Sequence, residues 1–233
     1  TQSMLKADVV AKGSLQDFEL NFKLKGAYRS HIEGTIQVVD GFQKDEIRIN
    51  SNAFFIKTSD KALDAILLKE TYEQLKPYTT KTGDLIIDSE FTGDKNNWNI
   101  IANIKTQLGT LSPNVNLMRE RIDLPWEYAV ALGVDSFDFG TLLNQKMPIK
   151  GTASLSINGI IDKSKVTLMD SKGLINQLEI GGNTFDNLSF FAKHKNDITT
   201  ASLSSAENRH LFDIEIAFNH ANESLEVKGD LKS

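Results

Sequence analysis

The sequence predicts a mainly β fold, a long antiparallel meander that curls into a U-shaped (taco-like) sheet or a sandwich-like one. Three observations support this prediction. Apolar and polar residues alternate along most of the chain, the alternating segments recur about every 12–14 residues, and Gly, Asp, Asn and Lys residues separate them. In one compact domain, a chain of 233 residues would bury roughly 70–75% of its unfolded surface.

The first β segment spans residues 1–112, and its alternation is clearest between residues 18 and 24. Phe18, Leu20, Phe22 and Leu24 are separated by polar residues. Because successive side chains of a strand point to opposite faces, these four share one face. The same alternation predicts further strands at Ile32/Ile36/Val38, Ile47/Ile49/Ala53/Phe55, Leu85/Ile87/Phe91 and Trp98/Ile100/Ala102/Ile104.

One helix interrupts this segment at about residues 60–76. The apolar positions between Ala62 and Leu75 follow helical rather than alternating spacing. Ser59 or Asp60 can serve as the N-cap, and Pro77 is typical of a helix end. Such a helix could close one end of the sheet.

Residues 113–148 show no alternation of period two, and we expect a short helical or irregular connector there. Alternation resumes in the second β segment, 149–233. The strands predicted in it are Leu155/Ile157, Leu178/Ile180, Leu188/Phe190/Ala192, Ile198/Ala201/Leu203, Phe212/Ile214/Ile216/Phe218 and Leu225/Val227.

Composition excludes several classes of function. The net charge is −5, and lysines and acids are interleaved, so no basic surface for nucleic acid is expected. The chain has no cysteine, which excludes disulfides and thiolate metal sites. No apolar run reaches the roughly 18–20 residues that span a bilayer, and the first residues lack a signal pattern, so we expect a soluble protein or an excised soluble segment.

No catalytic motif is evident, and we expect neither an enzyme nor a cofactor. Nucleophile-elbow, phosphate-loop and dinucleotide-binding sequences are absent, and the four histidines are scattered. His210 is the nearest to a metal ligand, since Asp213 and Glu215 follow it. On a strand, however, residue 210 faces away from the other two.

One cluster supports a carbohydrate-active enzyme on a β-sandwich as an alternative. Asp123, Glu127 and Asp135 lie near Trp126 and Tyr128, and paired carboxylates beside aromatic rings are what glycoside hydrolysis needs. A Pro-Trp pair more often plugs the open end of a sheet than stacks on a sugar, so we consider this alternative the weaker one.

Two stretches carry a repeated sequence pattern: Gly followed by hydrophobic alternation, a turn of small residues, and a strand that begins x-x-Phe-x-Asn-Leu. They are 148–159 (PIKGTASLSING) and 178–188 (LEIGGNTFDNL). Residues 11–18 and 227–231 fit the same pattern. This pattern resembles the AsmA-like superfamily and, within it, the TamB group. The resemblance covers 5–57 and 149–232, whereas the helix and the connector depart from it.

The resemblance implies a bridge-like lipid transporter of the periplasm, part of a longer protein anchored in the inner membrane. Its apolar groove would hold phospholipid acyl chains and conduct them for outer-membrane biogenesis, and an outer-membrane assembly protein would be a possible partner. The expected groove residues are Phe18, Leu20, Phe22, Phe55, Ile100, Leu188, Phe190, Phe212, Ile214, Ile216 and Phe218. A plain sandwich core and a scaffold that pairs an edge strand with another envelope protein stay open as alternatives.

Overall fold

The computed structural model describes residues 6–41, 46–162, 165–205, 211–221 and 224–232. The strands in this part of the chain are β1 (Lys6–Gly13), β2 (Phe18–Lys25), β3 (His31–Val39), β4 (Arg48–Thr58), β5 (Leu85–Gly93), β6 (Asn97–Thr106), β7 (Gly109–Met118), β8 (Trp126–Asp138), β9 (Ile149–Asp162), β10 (Lys165–Ile180), β11 (Asn183–Lys195), β12 (Ile198–Ser205), β13 (Leu211–Asn219) and β14 (Ser224–Lys232). The α-helices are α1 (Asp60–Ile66), α2 (Lys69–Thr82) and α3 (Phe139–Leu142), and a 3-10 helix spans Ala27–Arg29.

All fourteen strands form one antiparallel sheet whose spatial order is the order of the sequence. The predicted mainly β meander is therefore confirmed. The sheet stays open and does not close into a barrel. Within the described residues, extensive contacts between strands join only neighbours in sequence, so no second sheet packs on the first.

The pairing register gives the sheet two chemically distinct faces. The apolar face is illustrated by one cross-strand row, in which each residue pairs with the next: Val9, Phe22, Gly34, Phe54, Ser89 and Ala102 in β1–β6, then Leu132, Leu155, Gly173, Phe190, Leu203, Ile214 and Gly229 in β8–β14. Among the described strand residues, no Asp, Glu, Lys or Arg lies on this face. Those side chains lie on the opposite side, the polar face.

The molecule is much less compact than a globular protein of its size. Its accessible surface is 15597 Å², whereas a compact chain of 25.9 kDa would expose about 10,500 Å². Folding thus buries about 58% of the unfolded surface. This is less than the roughly 70–75% of one compact domain, because a single sheet leaves most side chains on its faces only half-buried.

The predicted helix at 60–76 is two helices. Leu67 and Leu68 adopt extended backbone angles and separate α1 from α2. Pro77 lies inside α2, which continues to Thr82, although an interior proline removes one backbone donor and crowds the preceding turn. The Tyr72 and Thr79 hydroxyls both donate to the Asp60 carboxylate, at 3.1 and 2.6 Å, and join the two helices.

The helices lie at one end of the strands, which we call the helical end; the opposite end we call the open end. The 3-10 helix connects β2 to β3, α1 and α2 connect β4 to β5, and α3 connects β8 to β9. The Gln107 N–H in the β6–β7 turn donates to the Thr82 carbonyl at 2.9 Å. Lys81 donates to the Leu142 carbonyl at 2.6 Å, so α2 also contacts α3.

The prediction of a short helical or irregular connector at 113–148 is wrong. This stretch contains the end of β7, all of β8 and α3, and the sheet runs through it without interruption. The alternation in β8 was hidden because Ala129 and Ala131 occupy its polar-face positions. When apolar residues occupy both faces, a strand loses its signal of period two.

Candidate functional site

Aromatic rings run across the apolar face from strand to strand. The Phe22 and Phe54 ring centroids are 5.8 Å apart, those of Phe54 and Phe91 are 5.6 Å apart, and those of Phe91 and Trp98 are 6.5 Å apart. The first two pairs meet edge to face, a favourable geometry for aromatic rings. These rings join β2, β4, β5 and β6 into one apolar surface.

Glycines let such rings lie flat on neighbouring strands. A Cβ on Gly34 would come within 3.1 Å of the Phe54 ring and 3.3 Å of the Phe22 ring. Gly159 is similarly covered by the Tyr128 ring, and burial raises the pKa of the Tyr128 hydroxyl. At these two positions the rings fill the space that a side chain would need.

The predicted groove residues mostly share this face. The members that lie on it are Phe18, Leu20, Phe22, Ile100, Leu188, Phe190, Ile214, Ile216 and Phe218. Phe212 belongs to β13, but its side chain falls outside the described residues.

Phe55 is wrongly assigned to the groove, since it lies on the polar face. It pairs with Glu33 and Asp88, and its ring meets that of His31 with centroids 5.7 Å apart. A bulge in β4 between Ser51 and Phe54 reverses the alternation, so Phe54 takes the apolar position. The strand pattern gave no sign of this bulge.

The sequence pattern missed the contribution of β8, whose Trp126, Tyr128, Val130, Leu132 and Val134 lie on the apolar face. Their spacing of two residues is the sequence signal that indicates this strand. It becomes visible when Ala129 and Ala131 are assigned to the polar face.

At the helical end, a buried cluster covers part of the apolar face. Leu108, Val134, Phe137 and Ala153 are its buried members, and side chains from α3 pack against them. Asp138 caps α3 by accepting the Thr141 N–H and hydroxyl, each at 2.9 Å. The Thr141 N–H holds the pKa of the Asp138 carboxyl below its usual value.

At the open end, polar groups flank the apolar face. The Arg119 guanidinium lies 4.2 Å from the centre of the Trp126 ring, and it donates to the carbonyls of Lys95 and Ile122. A cation over a tryptophan ring is a favourable contact. It leaves Trp126 on the apolar face next to a fixed positive charge.

Two histidines meet at a threonine at the same end. His194 Nδ1 and His220 Nε2 each lie 2.9 Å from the Thr199 Oγ1. One hydroxyl donates a single hydrogen bond, so if both contacts are hydrogen bonds, at least one of the two rings presents an N–H. The Phe218 ring packs edge to face on His220, with centroids 4.6 Å apart.

The polar face carries ion pairs and shallow concavities. Lys23 contacts Glu33 at 2.7 Å, and this hydrogen bond lowers the pKa of the Glu33 carboxyl. A concavity of about 920 Å³ crosses β1–β7 on this face, where Asp8, Asp88 and Glu90 are among its lining residues. Its lining also includes apolar side chains such as Val10, Phe55 and Ile101, so charged and apolar groups are mixed in it.

The structure separates the residues of the carbohydrate-active alternative. Trp126 lies on the apolar face and Glu127 on the polar face, so the two cannot line one cleft. Asp123 pairs with Arg121 at 2.9 Å. His210 lies outside the described residues, and no group of metal-ligating side chains is found within them.

In the part of the chain that the structure describes, none of the helices combines the length and the apolar character that crossing a bilayer requires. Comparisons with protein-family models, with curated proteins and with solved structures find no match to this chain.

Proposed function

We propose that this chain holds phospholipid acyl chains on its apolar face and conducts them along the sheet. The observation that carries the proposal is the face itself. It crosses all fourteen strands without a charged residue in their described parts. Within the described residues no second sheet packs on it, and α3 covers only a part of it at the helical end. An exposed apolar surface of this extent is typical of a binding surface.

The physical basis is transfer of acyl chains out of water. Each buried methylene contributes about 0.8 kcal/mol. Thirteen strand spacings give a face about 62 Å across, roughly four times the ~15 Å depth of one leaflet's hydrocarbon. Several lipids could therefore lie side by side, and a lipid that moves along the face passes no charged strand residue in the described part of the chain.

The resemblance of 148–159 and 178–188 to AsmA-like sequences supports the same proposal. By that resemblance the chain is a periplasmic segment of a longer, inner-membrane-anchored protein that serves outer-membrane biogenesis, with an outer-membrane assembly protein as a further partner. No catalytic step is needed, since movement along a uniform face requires no chemistry.

The sharpest test uses two consecutive phenylalanines on opposite faces. Phe190 pairs with Gly173 and Leu203 on the apolar face, and Phe191 pairs with Lys172 and Ser202 on the polar face. We expect Phe190→Asp to lower the fraction of protein that carries phospholipid in native mass spectrometry at least about tenfold, because a carboxylate against acyl chains is left without a partner.

The control is Phe191→Asp, which places the same charge on the same strand and should retain wild-type lipid occupancy. Circular dichroism of both variants checks that the β content is unchanged. Full occupancy in Phe190→Asp, or equal losses in the two variants, would show that lipid does not bind the apolar face.

A second candidate function is an edge-strand scaffold. Among the described strands, β1 pairs with β2 alone, and all residues of β1 are exposed, so its outer edge can accept a strand from another envelope protein. Two results together would favour this function over lipid binding. The purified chain would carry no lipid in native mass spectrometry, and it would bind a partner protein that the Val10→Pro variant does not bind.

A further inference from the structure

A row of basic side chains crosses the polar face beside the helical end. Pairing in register across β1–β6 aligns Lys6, Lys25, His31, Lys57, Ile86 and Lys105. Five strand spacings make this basic row about 24 Å long. Four of its six members are lysines, although like charges placed directly opposite destabilise a sheet.

The lysines of the basic row are not neutralised within the described residues. None of the four has an ion pair there. His31 contacts the Glu33 carboxylate at 3.1 Å, and Lys23 also contacts that carboxylate. The row is therefore a stripe of positive charge that an external anionic surface can balance.

Exposed apolar side chains occupy the helices at the same end. Leu68, at the start of α2, is 80% exposed, and Leu75 and Tyr78 are 41% and 54% exposed. The spacing of three residues brings Leu75 and Tyr78 to one side of α2, and Leu68 directly precedes its first residue. Ile66 and Tyr28 are also mostly exposed. A surface helix in water would ordinarily turn such residues inward.

The basic row and these apolar residues both lie at the helical end. Lys25 is the last residue of β2, which the 3-10 helix follows, and Lys57 lies three residues before α1. The hydrogen bond between Gln107 and Thr82 ties the turn after Lys105 to the end of α2. α1 and α2 carry four lysines and four carboxylates, so the basic row sets the sign of the charge.

We propose that the helical end docks on a lipid bilayer with anionic head groups. Leu68, Leu75 and Tyr78 enter the boundary between head groups and acyl chains, and the basic row contacts the phosphates behind them. Stable attachment to a membrane surface needs two such signals, an apolar one and a basic one. This docking does not depend on the proposed lipid conduction, since a chain unable to carry acyl chains would still bind the bilayer.

Vesicle flotation tests the basic row. The whole chain should float with vesicles of phosphatidylcholine and phosphatidylglycerol, and far less with phosphatidylcholine alone. K25Q/K57Q/K105Q should weaken binding at least about tenfold, whereas the charge-matched control K172Q/K193Q/K195Q, on the polar face of β10 and β11, should change it less than about twofold. Equal losses in the two triple variants, or a wild-type chain that does not float, would overturn the proposal.

A second pair of variants tests the apolar contribution. L68S/Y78S should lose binding, while L174S/F191S, which removes two exposed apolar residues from the polar face, should retain it. Phe190→Asp should also float normally, which separates this proposal from the lipid-conduction proposal. If L68S/Y78S instead dissociates a dimer in sedimentation velocity and leaves flotation intact, the surface joins two copies of the chain and the membrane proposal is wrong.

Discussion

Phe54 and Phe55 differ in which face of the sheet they occupy, and their environments differ accordingly. Phe54 packs between the rings of Phe22 and Phe91 on the apolar face. Phe55 contacts only the His31 ring among the aromatic residues described. The difference depends on a single bulge in β4, so these residues test the register directly.

We predict that Phe54→Ala lowers the free energy of unfolding by about 2 kcal/mol, because a half-buried ring with two aromatic neighbours is lost. Phe55→Ala should cost less than about 1 kcal/mol. The midpoints of urea unfolding measure both. The reverse order of the two losses would place Phe55 on the packed face and contradict the bulge.

At the scale of elements, α3 shows how a short helix closes the apolar face locally. It has only four residues, Phe139–Leu142, too few to be stable alone. Packing against Val134 and Phe137 and the cap at Asp138 hold it in place. The cap links the stability of this end to pH.

We predict that Asp138→Ala lowers the free energy of unfolding by about 1 kcal/mol at pH 7, as loss of an N-cap does. The folded pKa of Asp138 is lowered, chiefly by the Thr141 N–H. Its contribution is therefore present above the unfolded pKa of about 3.9 and is lost as pH falls through the lower folded value.

Thermal unfolding at pH 7 and near pH 2 measures this difference, which should shrink in acid. Asp135→Ala is the matched control, because Asp135 is exposed and accepts only the neighbouring Ser136 hydroxyl. A loss that is as large in acid as at pH 7 would show that Asp138 stabilises α3 by something other than its charge.

For the whole molecule, local pattern predicts the strands and their faces, since alternation is a property of neighbouring residues. Phe18–Leu24 and Ile214–Phe218 were placed on one face in this way. The pattern fails where a bulge shifts the alternation, as before Phe54, or where both faces are apolar, as at Ala129 and Ala131. Whether the sheet folds back on itself depends on contacts between distant strands, which no local pattern encodes.

The central claim is that acyl chains contact the apolar face, and both tryptophans of the chain lie on it. Trp98 pairs with Leu117 in β7, and Trp126 pairs with Ile161 in β9. A bromine on an acyl chain quenches only those tryptophans that the chain touches. The two residues therefore report on lipid contact at the open end.

Quenching of tryptophan fluorescence by phospholipid brominated on its acyl chains is the most direct measurement. We predict that the fluorescence of the wild-type chain is quenched. In a background that carries Trp98→Phe and Trp126→Phe, a single tryptophan introduced by Phe190→Trp should be quenched, and one introduced by Phe191→Trp should not. Unchanged fluorescence in the wild-type chain, or equal quenching of the two probes, would contradict the account.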